Sequence, residues 1–162
     1  IARKMGLSER ESESVRNAAY LHDLGKLGIK DEIILKKGSL SDEEYAIVKQ
    51  HPLITMNILQ PLNIKKEELE ACLYHHEWIN GRGYPKGLKN GEIPLMAKIL
   101  AVADAFSAMI STRPYRERME EQEALRELER CADKQFDPAV VKALASLIEE
   151  NGASFSKEFF PG

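Results

Sequence analysis

The residues of this chain that could do chemistry fall into four short stretches, and histidine marks all but one of them. His22 is followed at once by Asp23 in HDLGK, His51 stands in KQHP, and His75 and His76 open the run HHEWINGRGYP, residues 75 to 85. The fourth stretch is the apolar run from Ile99 to Ile110, whose single charge is Asp104. All four histidines of the chain therefore sit beside motif-like residues, and none lies in a plain polar stretch. Imidazole nitrogens mixed with carboxylate oxygens suit first-row metals such as iron, manganese, zinc or nickel, whereas an all-oxygen set suits magnesium or calcium. The pattern points to a metal site. The glycine-rich, aromatic run after the histidine pair is poor helix material and reads as a shaped substrate loop.

Each of these residues also has a plainer reading. His51 by itself is a half-buried structural histidine at the edge of an apolar stripe, and only the other motifs raise it to a ligand. The Gly-Tyr-Pro turn alone is as good a structural turn as a functional one. Asp104 has the weakest plain reading, because an ionised carboxylate in an apolar helix is very costly unless paired or bound to metal. Consecutive residues point about 100° apart on a helix. His75 and His76 can thus share a cluster only where it wraps a helix end or holds more than one metal.

The elements that must position these residues are helical. Ser8 and Glu11 form a capping box, and Val15, Ala18, Ala19 and Leu21 make an apolar stripe toward His22. This predicts a helix ending near Gly25, with His22, Asp23 and Lys26 at its C-terminal turn. Residues 29 to 38 read as a connector with a short helical turn. Ser41 and Glu44 form a second capping box, predicting a helix to about Leu59 with Tyr45, Val48, Pro52, Met56 and Leu59 on its apolar side. A further helix is predicted from Ile64 to about Trp78. Pro94 stands in the first turn of a helix to about Ser111 that is apolar on nearly every face and so should be central. Past it, Arg113 and Arg116 in TRPYRER are ordinary helix-end surface charges or, as guanidinium forks, a grip for phosphate. Glu120 to Cys131 is amphipathic, and Asp137 and Pro138 start the last helix, with Val141, Leu144, Ala145 and Ile148 facing inward. No segment alternates with period two and no repeat occurs, so the expected fold is all-α with about seven helices.

Composition sets the outer bounds. A chain of 162 residues with 43% hydrophobic and 30% charged residues is one globular domain with a real core. A net charge of -3 gives no long-range pull toward nucleic acid. The stretch from Ile93 to Ile110 contains Pro94, Lys98 and Asp104, which favours a buried helix over a membrane helix. Cys72 and Cys131 lie far apart and outside any CxxC spacing, as expected of free thiols in a reducing cytoplasm. The chain begins on Ile1, as if partway along a helix, which suggests a domain of a longer protein.

Together HDLGK at 22 to 26, His51, HHEWINGRGYP at 75 to 85, Asp104 and RPYR at 113 to 116 resemble the HD-GYP family, bacterial cyclic di-GMP phosphodiesterases of the HD superfamily. The resemblance covers about residues 1 to 148 and implies a helical domain around a metal cluster. It implies that His22, Asp23, His51, His75, His76 and Asp104 hold two or three metal ions, usually iron or manganese, with Asp23 bridging. It further implies that Asp23 and Lys26 are catalytic and that Lys26, Gly83, Tyr84, Arg113 and Arg116 line the phosphodiester site. The implied activity is hydrolysis of cyclic di-GMP to linear pGpG and on to GMP, with hybrid cyclic GMP-AMP as a competing substrate. A catalytically impaired module that docks a diguanylate cyclase (GGDEF) domain through the GYP loop is the alternative, and a regulatory or receiver domain is expected upstream. Family members carry a helix before this chain's first residue that adds a His, and in some a Glu, to the metals. Many also have a second Asp where this chain has Ser107, which favours two metals over three.

Overall fold

Serine caps open the first helices as the sequence predicts. The computed structural model describes residues 1–111 and 118–152. Ser8 starts α1, Glu9–Leu21, and Ser41 starts α3, Asp42–Val48, each through a reciprocal capping box with the glutamate three residues on. Between them lie a 3-10 turn, Leu24–Gly28, and the single turn α2, Asp31–Ile34. The chain continues through α4 (His51–Leu59), α5 (Lys66–Tyr74), α6 (Leu95–Ile110), α7 (Glu121–Cys131) and α8 (Pro138–Asn151). Seven of these helices have seven residues or more, and among the described residues β pairing is limited to two isolated bridges. The fold is all-α.

Three boundaries differ from expectation, and two of them shape the site. The helix expected from Ser41 to Leu59 is broken at Lys49 and Gln50. Pro52 explains the break: it offers no N–H to the carbonyl of Val48, and its ring would collide with that carbonyl in a continuous helix. With the break, Tyr45 turns outward and is 47% exposed. The helix expected to reach Trp78 stops at Tyr74, where Glu77 N–H closes a tight turn on the Tyr74 carbonyl at 2.9 Å. Residues Arg3–Met5 form a 3-10 turn where continuing helix is expected.

Helix α6 is central, packing on α1, α5, α7 and α8. One of its faces meets α7 and α8 through Ile99, Val102, Phe106, Leu125, Leu128, Val140 and Leu144. The other meets α1, α4 and α5 through Leu100 against Ala18, Leu59, Ala71 and Cys72. Ile99 and Leu100 are each 2% exposed. Burying such side chains is worth roughly 1.5–3 kcal/mol apiece, so these neighbours tie the two cores into one. Cys72 and Cys131 are both free thiols, and burial pushes Cys72 up to about 12. No helix among the described residues is long and apolar enough to cross a membrane.

The 3-10 turn after α1 lies directly on α4, and Gly25 makes that possible. A Cβ there would lie 2.0 Å from the His51 carbonyl oxygen and 2.6 Å from the Thr55 nitrogen, both backbone atoms that cannot give way. Buried Thr55 locks the contact: its hydroxyl accepts from Gly25 N–H at 2.8 Å and donates to the His22 carbonyl at 3.0 Å. Gly25→Ala should therefore destabilise the fold by about 3 kcal/mol or more, seen as a lowered urea midpoint. Gly28→Ala, which meets only the flexible tip of Ile54 at 3.2 Å, should cost much less. Equal midpoints for the two variants would contradict this packing.

Candidate metal centre

Helix ends deliver the histidines to one place. His22 follows α1, His51 follows α3 by two residues, and His75 follows α5. The last carbonyls of a helix have no intrahelical donor. Each of these imidazoles fills that need, its Nδ1 bonding the carbonyl three residues back: Ala19 at 2.8 Å, Val48 at 2.8 Å and Cys72 at 2.7 Å. With Nδ1 as donor, Nε2 is left as the lone-pair atom, oriented by the backbone bond behind it.

Those lone pairs converge. His75 and His76 have ring centroids 4.0 Å apart, and His51 lies 5.5 Å from the first and 5.0 Å from the second. His22 stands edge-on to His75 at 4.9 Å. Asp23 lies between the groups, with Oδ1 3.4 Å from His51 Nε2 and Oδ2 3.5 Å from His22 Nε2. Asp104 reaches in from the middle of α6, its Oδ1 3.7 Å from His22 Nε2. The consecutive histidines share the cluster because it wraps the end of α5.

The donor atoms fit a metal. Nε2 of His22, His51 and His75 and Oδ1 of Asp23 are buried without a hydrogen-bond partner. An orphaned buried polar atom costs about 1–3 kcal/mol, and four at one point call for a ligand that satisfies them together. Two triads lie within mutual ligand reach, His51 with His75 and His76, and His22 with Asp23 and His75, the atoms of each within 4.8 Å of one another. Mixed nitrogen and oxygen donors of this kind suit first-row metals.

Burial and neighbouring charge set the protonation. Burial, then the adjacent His76 and His22, push His75 far below the usual histidine range, and burial with His51 takes His76 to about 3. His51 is lowered by burial as well. These three rings are neutral at neutral pH and ready to donate. His22 goes the other way: burial opposes its charged form, but the carboxylates of Asp104 and Asp23 outweigh burial and raise it. Asp104 is held at about 2, because His22 and the other imidazoles overcome the burial that would raise it.

The remaining predicted residues have clear positions. Lys26 Nζ lies 2.6 Å from Asp23 Oδ2. Tyr84 stacks on His76, with centroids 4.8 Å apart and an interplanar angle of 28°. Gly81 takes the positive φ expected of it, +81°. Gly83 does not open space for a ligand. Its missing side chain lets the loop cross its own root, since a Cβ would lie 2.2 Å from the Trp78 nitrogen and 2.5 Å from the His76 carbonyl. Arg113 and Arg116 lie outside the described residues. Sequence reasoning missed Thr55, whose only signal is its place one turn after His51, and the role of Glu77, whose carboxylate bonds backbone amides of the loop.

The comparisons agree with this geometry. The HD domain family matches residues 1–140. The chain belongs to the HD domain family. It carries the HD-GYP motifs set out above on the corresponding helix ends. It is 47% identical over 152 residues to a cyclic di-GMP phosphodiesterase of Thermotoga maritima, covering 93% of this chain and 41% of that protein. It is 38% identical over 154 residues to a 3'3'-cGAMP-specific phosphodiesterase of Vibrio cholerae, covering 93% and 34%. An HDG"Y"P protein from Bdellovibrio bacteriovorus has a solved structure of the same fold, with a TM-score of 0.73 at 23% identity over 91% of this chain and 47% of that one. The HD domain chain thus spans about two fifths of the length of the curated relatives it matches.

The histidine shifts predict a pH response of the metal-free domain. His51, His75 and His76 stay neutral when folded but take up protons near 6.5 when unfolded. Stability is then lost as pH falls below about 6.5, by about 1.4 kcal/mol per pH unit for each excess proton on the unfolded chain. His22, raised on folding, works in the opposite sense but is one group against three. The melting temperature without metal should therefore fall steadily from pH 7 to pH 5, and a flat profile would contradict the assignment.

Proposed function

We propose that this chain is the catalytic domain of a metal-dependent phosphodiesterase that opens cyclic di-GMP to linear pGpG and cleaves that further to GMP. The observation that carries the reading is the knot of four buried, unpartnered ligand atoms on His22, Asp23, His51 and His75, in a chain 47% identical to a named cyclic di-GMP phosphodiesterase. His22, Asp23, His51, His75, His76 and Asp104 hold two ions, iron or manganese, and the two triads and the Ser107 position both favour two over three. Bound there, the ions supply Lewis-acid polarisation of the phosphodiester and of the attacking water. Asp23 bridges them, its two oxygens facing different histidines.

The chain's other groups bind and neutralise. Lys26, partly exposed beside Asp23, offsets the charge that builds on the phosphoryl oxygens. Arg113 and Arg116 grip the second phosphate through their guanidinium forks. Tyr84 offers a ring and a hydroxyl at the rim of the His76 side. Nothing in this machinery distinguishes cyclic di-GMP from hybrid cyclic GMP-AMP, which differ by one base, and relatives are named for each. None of the relatives reported above is named for docking.

Anaerobically purified protein should contain iron or manganese and convert cyclic di-GMP to linear product by chromatography. Asp23→Ala should lose both metal and turnover. Lys26→Ala should keep its metal while kcat falls roughly 10²–10³-fold. Stoichiometric metal in the wild type with no turnover of either cyclic dinucleotide would overturn the reading.

A further inference from the structure

Glu77 follows the histidine pair directly, yet it belongs to neither ligand triad. It is nonetheless 3% exposed, and a buried carboxylate needs a partner. The partners are backbone. Oε1 accepts from the N–H groups of Lys86 at 2.6 Å and Gly87 at 3.1 Å, and Oε2 accepts from Leu88 N–H at 2.9 Å. Three successive amides turned onto one carboxylate form a charge-assisted clasp.

The clasp closes the loop that starts immediately after it, and Tyr84 lies between its two jaws. The loop crosses its own root at Gly83, and Tyr84 N–H bonds the His76 carbonyl at 3.1 Å. These constraints bring the Tyr84 ring onto the His76 imidazole. His75, by contrast, is anchored behind by the Cys72 carbonyl and does not depend on the loop. Opening the clasp would therefore free Tyr84 and leave the metal ligands in place.

We infer that Glu77 is a positioning residue: it seats Tyr84 over His76 and so sets how tightly substrate is held, without taking part in metal binding. The inference rests on the phosphodiesterase reading above. Glu77→Gln keeps the side chain's shape but turns one acceptor oxygen into an NH2 group facing a backbone N–H. The manganese-loaded variant should hold as much metal as wild type, with KM for cyclic di-GMP raised roughly tenfold or more and kcat within about threefold. Tyr84→Leu should raise KM by a similar factor, and the double variant should be no worse than either single one, because Glu77 acts through Tyr84. Gly83→Ala, which pushes the loop off its root, should behave like Glu77→Gln.

A readout independent of turnover comes from zinc-loaded protein, which is diamagnetic. Cross-ring nuclear Overhauser contacts between His76 and Tyr84 should be present in wild type and absent in Glu77→Gln. Persistence of those contacts, loss of metal in Glu77→Gln, an unchanged KM, or additive effects in the double variant would each overturn the inference. Their loss in a protein whose wild type turns over no cyclic dinucleotide would instead refute the phosphodiesterase reading while supporting the clasp.

Discussion

A hydrogen bond from imidazole Nδ1 to a carbonyl three residues earlier recurs at three helix ends, and the site depends on it. At each end the backbone has an acceptor to spare, and at each a histidine meets it. The bond fixes the ring plane and tautomer, and it aims Nε2 away from the parent helix. Because three such ends meet beside α6, three Nε2 atoms converge without any one helix needing unusual geometry. Convergence of lone pairs in a buried space is unfavourable by itself. The shifted histidines and the orphaned atoms are two expressions of that cost, and a bound cation is what would relieve it.

Around this arrangement, small residues and proline do the fitting. Pro52 interrupts what would have been one long helix and leaves the Val48 carbonyl to His51. Gly25 lets the His22–Asp23 turn lie flat on α4, and Thr55 bonds both sides of that contact. Gly83 lets the substrate loop cross the backbone of the histidine pair. In each case a local rule is broken or a side chain omitted at a residue next to a ligand. The helices farther away, α7 and α8, keep ordinary patterning and serve the core.

The Asp104 carboxylate shows how core and site are joined. It projects from the helix whose flanking residues, Ile99, Leu100, Val102 and Phe106, are buried in both halves of the core. A charge on such a helix is tolerable because His22 and the histidine pair lie against it and keep it ionised. The same carboxylate raises His22, so the ligand set divides into neutral rings on one side and a charged pair on the other. Asp23 touches both sides, with Lys26 on its outer oxygen.

The amino-acid sequence alone determined the helical class, both serine capping boxes, the Asp137 and Pro138 start of α8, the central place of α6 and the identity of the ligand-type residues. Those features follow from interactions within about four positions along the chain, or from the strong cost of a charge in an apolar helix, and both can be read without coordinates. Only the tertiary structure decided that residues 22, 51, 75, 76 and 104 meet, that Asp23 divides its oxygens between two histidines, and that Glu77 bonds amides instead of a metal. It also decided that Gly83 serves the loop's own crossing, which spacing alone had left open between a ligand and a turn. These outcomes depend on which helix ends pack together across dozens of residues, and no short-range propensity carries that information.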